Sequence, residues 1–148
     1  MKWAEPDLRL VTQIACNLRE EDQHEVALSD GLPGYDAVML SYAESSFARV
    51  ILGDNSAPVG VTGLCGDRIW LLGTPELMST RSHRWQLAVH GREWVETCLR
   101  RVNRPIGNHA YAKNAAALRW LKHLGFTVMK PAPYGPSAAL FCEFWRNP

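Results

Sequence analysis

Ser79, Thr80, Arg81, Ser82, His83 and Arg84 place three hydroxyls, two guanidinium groups and an imidazole in six consecutive positions. They stand at the head of a long helical pattern, where the helix dipole favours negative charge. His83 and His90 are seven apart and share a helix face, but no carboxylate or cysteine completes a ligand set, so no metal site is expected. Cys16, Cys65, Cys98 and Cys142 are isolated, lack C-x-x-C spacing and have apolar neighbours. Buried free thiols in a reducing compartment are the expected state, and no nucleophile motif surrounds any of them. Of the six tryptophans, Trp85, Trp94 and Trp120 are expected to pack helices onto a sheet, and Trp145 to offer a contact surface.

The clearest element behind these residues is Asn114 to Phe126. Asn114 suits an N-cap, Ala115 to Leu118 are strong helix formers, and Ala117, Leu118, Leu121 and Leu124 form an apolar stripe. Gly125 fits the left-handed position after the helix, with Phe126 folding back on Leu121. A strand over Thr127 to Lys130 follows.

Before it, Asp7 to Leu18 is helical in its later part, while Leu8 to Leu10 fits a strand equally well. Arg19 to Glu25 is a dense charged run leading into Val26-Ala27-Leu28, expected to be the solvated face of a short helix. A further helix spans Asp36 to Phe47, with Leu40, Ala43 and Phe47 inward. Arg49–Leu52, Pro58–Cys65 and Arg68–Leu72 read as a three-stranded meander, its turns at Gly53 to Ser56 and Gly66-Asp67. Gly60 and Gly63 imply a bulge or the close approach of another backbone.

The long helix is expected from about Ser79 to Arg101, burying Ala88, Gly91, Val95, Cys98 or Leu99, and Val102. A strand over Asn108 to Ala112 precedes the Asn114 helix. A loop over Pro131 to Pro136 and a last strand over Ala138 to Trp145 end the chain. This order predicts one domain over residues 1–148 with a three-layer α/β/α architecture and a mixed sheet. With 16 basic and 15 acidic side chains the net charge is +1, which argues against nucleic-acid or membrane-surface binding as the main task. No secretory leader or membrane span is apparent in the sequence, so a cytoplasmic protein, or one packaged in a particle made there, is expected.

Asn114-x-x-Ala117, with Leu124-Gly125-Phe126, resembles the closing motif of the GNAT superfamily of acyl-CoA N-acyltransferases. Four dispersed segments are similar to a phage branch that includes internal virion proteins of short-tailed phages. These are Asn17 to Val26, Trp70 to Thr74, Arg119 to Phe126, and Phe141-x-x-Phe144-x-Arg146. The resemblance implies acetyl-CoA as acyl donor, its acyl arm between splayed strands at Arg68–Leu72 and Asn108–Ala112. It places the pyrophosphate at the start of the long helix. Leu72, Gly73, Thr80, Arg81, Ser82, Arg84 and Asn114 are the implied cofactor residues.

Two positions depart from the family pattern. No glycine stands between Gly73 and Gly91 to form the family's phosphate-binding turn. Leu121 stands where many members carry the tyrosine that protonates the leaving thiolate, making Tyr111 or His109 the substitute. Glu44 or Asp67 would be the general base. Three readings stay open: an acetyl-CoA-dependent N-acetyltransferase; a protein of the same fold that binds a host or virion partner without catalysis; and an acyl-CoA or nucleotide binder without transfer chemistry. The first two place it in host cytoplasm or a phage particle.

Overall fold

The Asp7 carboxylate accepts from Leu10 N–H at 2.8 Å, opening helix α1 (Leu8–Cys16) and excluding a strand at Leu8 to Leu10. A strand lies instead at Lys2–Ala4, β1, a segment too short to show periodicity. These coordinates come from a computed structural model that describes residues 1–148. Helices α2 (Glu20–Asp30) and α3 (Gly34–Glu44) follow. Helix α3 ends before Phe47, which begins β2 (Phe47–Leu52) and stacks on Trp94 at 4.8 Å on the opposite side of the sheet. The expected inward row is therefore corrected. Helix α3 buries Gly34, Ala37 and Val38, and Leu40 is exposed.

Strands β3 (Pro58–Cys65) and β4 (Arg68–Gly73) complete the meander. The β2–β3 register shifts between Ile51 and Leu52, opposite Gly60, so the bulge is present. What crowds Gly60 is the Leu77 side chain, not another backbone. A 3-10 turn at Pro75–Met78 leads into helix α4 (Arg81–Val102), then β5 (Ile106–Tyr111) and α5 (Ala115–His123). Strands β6 (Thr127–Val128), β7 (Ala132–Tyr134) and β8 (Ala139–Arg146) finish the chain, β7 standing within the expected loop.

The sheet runs β1-β2-β3-β4-β5-β8-β6, with β7 on β8, and only the β4–β5 pair is parallel. On one face Val11, Ile14 and Val38 meet Val50, Val61 and Leu72. On the other, Trp94, Val95, Cys98, Leu121 and Leu124 meet Ile106, Ala110 and Phe144. Helices thus cover both faces of a mixed sheet, as expected. Burying a Val or Leu side chain contributes about 1.5–3 kcal/mol, which sets the register of each strand. Trp85 does not pack inward, being 67 % exposed, and Cys16 is exposed too. Cys98 is sealed in the core, where burial pushes its thiol up to about 12. No disulfide links the four cysteines.

The α5–β6 corner closes as its residues dictate. Asn114 Oδ1 accepts from Ala117 N–H at 3.2 Å. Phe126 N–H donates to Leu121 C=O at 3.1 Å and Gly125 N–H to Lys122 C=O at 3.0 Å, the Schellman pattern. Gly125 has φ +89°, a conformation that side chains resist. Arg146 on β8 donates to Leu124 C=O at 3.0 Å and pairs with Glu96 of α4. Phe126 and Phe144 meet edge-on at 5.1 Å.

Candidate active site

Strands β4 and β5 share a single register pair, Arg68 with Gly107. One step on, Asn108 Nδ2 donates to Ile69 C=O at 2.9 Å, a side chain already filling the place of a backbone donor. Beyond that the strands part. Backbone groups along a strand turn alternately to its two neighbours. Ile69 and Gly73 turn theirs away from β3, as the Asn108 and Asp22 bonds show, so Leu71 between them presents its N–H and C=O to the gap.

Helix α2 bridges the separated tips. Gly73 N–H donates to Asp22 Oδ2 at 2.8 Å, and Gly73 C=O accepts from Arg19 N–H at 2.9 Å. Tyr111 N–H on β5 donates to Glu25 Oε1 at 2.6 Å. Asp22 and Glu25, one helical turn apart, each hold one strand. Asp22 is 2 % exposed and bonds Arg19 Nε at 2.9 Å. Burial raises its affinity for a proton, against the opposing charge of Arg19. Burial likewise raises Glu25, and the neighbouring Asp22 charge adds to that, while the Tyr111 bond pulls the other way. The charged run is therefore not simply a solvated face.

A cavity of about 410 Å³ passes through the gap from one face of the sheet to the other. Leu71, Leu72, Asn108 and His109 line it where the strands part. Arg84, Leu87, Gly91, Asn114, Ala117 and Trp120 line its α4–α5 side, and Arg19, Asp22, Glu25 and Ser41 its α2 side.

The expected cofactor residues divide by role. Thr80 is the N-cap of α4, accepting from His83 N–H at 3.0 Å. Arg81 and Ser82, in the first turn, keep backbone N–H groups without helical partners. Arg84 faces the cavity and donates to Met78 C=O at 3.1 Å. Asn114 caps α5 and also borders the cavity. Leu72 lines it as well, with its backbone turned to β3, whereas both polar backbone groups of Gly73 are already engaged. Gly73 has no room for a side chain, since a Cβ would lie 3.0 Å from Val59 O and press into Leu77.

Among the expected catalytic residues, His109 lines the cavity, stacked on Tyr134 at 3.8 Å with Nε2 3.7 Å from Glu143. The Tyr111 ring packs between His24 and Phe141, both at 5.5 Å, and lies off the cavity wall. Glu44 is exposed at the end of α3, and Asp67 sits in the β3–β4 turn near Arg104, so neither borders the cavity. Leu121 is buried, as a core residue of α5. The sequence reading missed Glu25, Asp22 and Leu71. The two acids did carry a signal, their one-turn spacing within the Asn17 to Val26 segment of the family resemblance, but no site role was drawn from it.

His83 is buried, its Nδ1 2.8 Å from Glu76 O and its Nε2 3.4 Å from Asp54. No cluster of three or more His, Cys, Asp or Glu is placed to hold a metal ion. No helix is long and apolar enough to cross a membrane.

No family model matches the chain, and no curated protein sequence does. Solved structures do match. A Bacillus subtilis acetyltransferase in complex with CoA aligns at TM-score 0.62 and 12 % identity, covering 99 % of this chain and 97 % of that one. A chimera of Vibrio cholerae spermidine N-acetyltransferase aligns at 0.64 and 11 %, over 98 % and 94 %. The Escherichia coli ribosomal-protein-S18-alanine N-acetyltransferase aligns at 0.60 and 13 %, over 97 % and 90 %. The fold is that of the GNAT acetyltransferases.

Proposed function

We propose that this chain is an N-acetyltransferase that uses acetyl-CoA as acyl donor and a primary amine as acceptor. The observation that carries this reading is the cavity running through the parted strands β4 and β5, with Arg84 near the start of α4 on one side and acids on the other. The residues present fit coenzyme A in the following way. Leu71 would offer an N–H to the thioester carbonyl, and Leu72, Leu87 and Ala117 would give the pantetheine arm an apolar bed. The Arg81 and Ser82 N–H groups, the Ser82 hydroxyl, and the Arg81 and Arg84 side chains would hold the pyrophosphate, behind the Thr80 cap. Asn114 borders the same channel. When bound, the thioester supplies the activated acyl group. His109, which lines the cavity, would give a proton to the departing sulfur.

Thermal unfolding with and without acetyl-CoA tests this. Ligand at about 100 times its dissociation constant stabilises the fold by about 2.7 kcal/mol. The shift is expected to disappear in the Arg81→Ala, Arg84→Ala double variant. No shift at millimolar ligand would sink the reading.

A second reading is a protein of the same fold, carried in a phage particle or aimed at a host protein, that binds without transferring. Two observations favour it: Leu121 offers no proton where a tyrosine is usual, and Trp85 with Val89 leaves an apolar step exposed on α4. Capture of a single protein partner that is lost in Trp85→Ala, with no acetyl group added to it, would favour this second reading.

A further inference from the structure

Four acids line the α2 side of the cavity, and their situations differ. Asp22 is paired with Arg19. Glu21 and Asp30 are exposed to water. Glu25 is half-buried and forms no ion pair. Its Oε1 is fixed by Tyr111 N–H at 2.6 Å, so the carboxylate is held at the tip of β5, while Oε2 makes no hydrogen bond. A carboxylate anchored by one oxygen, with the other unengaged on the wall of a channel, is built to take a proton from something inside it.

From this geometry we infer that Glu25 is the catalytic base, and that it receives the proton of a primary ammonium entering from the α2 side. The inference rests on the acyl-transfer reading. An amine is protonated at neutral pH and attacks only after losing that proton. The ammonium N–H proton passes to Glu25 Oε2. The freed lone pair forms the C–N bond to the thioester carbon, the C–S bond breaks, and its electron pair leaves on sulfur. His109 gives its proton to sulfur and is restored by the second ammonium proton, while Glu25 releases its own to water. The products are an amide, a thiol and one proton.

The charged and titratable groups around Glu25 agree with this role. Asp22 on the same helix raises its proton affinity and Arg19 lowers it, with burial the largest influence. His24 packs on the Tyr111 ring, and His109, Arg68 and Arg84 stand on other parts of the cavity wall. A solvated glutamate would be too weak a base near neutral pH, and burial corrects that in the right direction.

The test uses the full chain and the variants Glu25→Gln, which keeps an oxygen for Tyr111 N–H, and Glu25→Asp. Calorimetric binding of acetyl-CoA is expected to be unchanged in both. Thiol release with a diamine or a lysine peptide is expected to fall about 10²–10⁴-fold in kcat/KM for Glu25→Gln. The acid limb of the pH profile vanishes in that variant and persists in Glu25→Asp. In the free protein, the Glu25 carboxyl carbon is expected to titrate above the ordinary value of 4.5 by NMR. A Glu25→Gln variant within twofold of wild type, or one that retains the acid limb, overturns the assignment alone. So does an ordinary Glu25 titration. Binding without any transfer overturns it too but leaves the cofactor site standing. Wild-type protein that binds no acetyl-CoA removes the transferase reading, and the assignment with it.

Discussion

The α5–β6 corner and the α2 bridge both end a strand or helix by giving its free backbone groups a partner, and they differ in where that partner comes from. At the corner the partners are near in sequence: Asn114 to Ala117, Phe126 to Leu121, Gly125 to Lys122. At the bridge, Asp22 reaches Gly73 and Glu25 reaches Tyr111, across 51 and 86 residues. Local closure gives a rigid corner that needs little else. Distant closure is required because β4 and β5 have separated, which strips both tips of the neighbour that would normally pair them. The parting that makes the channel thus also creates the unpaired groups that bring one buried and one half-buried acid to its edge.

The sharpest way to break this contrast is Asp22→Ala. It leaves Gly73 N–H unpaired and a partly buried Arg19 without its anion, and is expected to cost about 3 kcal/mol by urea unfolding. A loss under about 1 kcal/mol would mean that the bridge contributes little. Gly125→Ala comes next: the positive φ and the Arg146 side chain 3.3 Å from a new Cβ predict a loss of about 1–2 kcal/mol. The smallest effect is Asn114→Ala, which removes one cap and is expected to cost about 1 kcal/mol. Because the corner bonds are local, Gly125→Ala and Asn114→Ala should leave Glu25 titration unmoved, whereas Asp22→Ala should shift it.

The two regions also separate by pH. Asp22 and Glu25 both have proton affinities raised on folding. Their stability contribution is therefore complete below the unfolded values, 3.8 and 4.5, and is lost as pH rises through the higher folded values. Urea midpoints measured upward from about pH 4.5 should show Glu25→Gln gaining on wild type as pH increases. A constant difference across that range would contradict the burial of this carboxyl.

How far each region could be read in advance follows from the same distances. The Asn114 cap, the Gly125 turn and the apolar stripe lie within thirteen residues, and the helix formed as its residues imply. Its likeness to the acetyltransferase closing motif led to the right fold. The terminal Phe144 and Arg146 also find a structural explanation, since they pack on and cap that corner. The charged run of α2 was read as a solvated face because nothing near it shows which acids turn inward. Leu72 lines the channel as chosen, but strand alternation turns its backbone to β3 and leaves the free N–H to Leu71, while Gly73 is bonded to α2. Glu44 and Asp67, picked as carboxylates of suitable type, stand away from the channel because their positions depend on how α3 and the β3–β4 turn pack.

What the sequence determined by itself is the longer elements and their order, since caps, glycine turns and periodicity act over a few residues; the short strands β1 and β7 carry no such signal. Tertiary structure decided which side chains meet at the parted strands. A gap between β4 and β5 exists only once eight strands share a sheet, and only then do Asp22 and Glu25 become the partners of Gly73 and Tyr111.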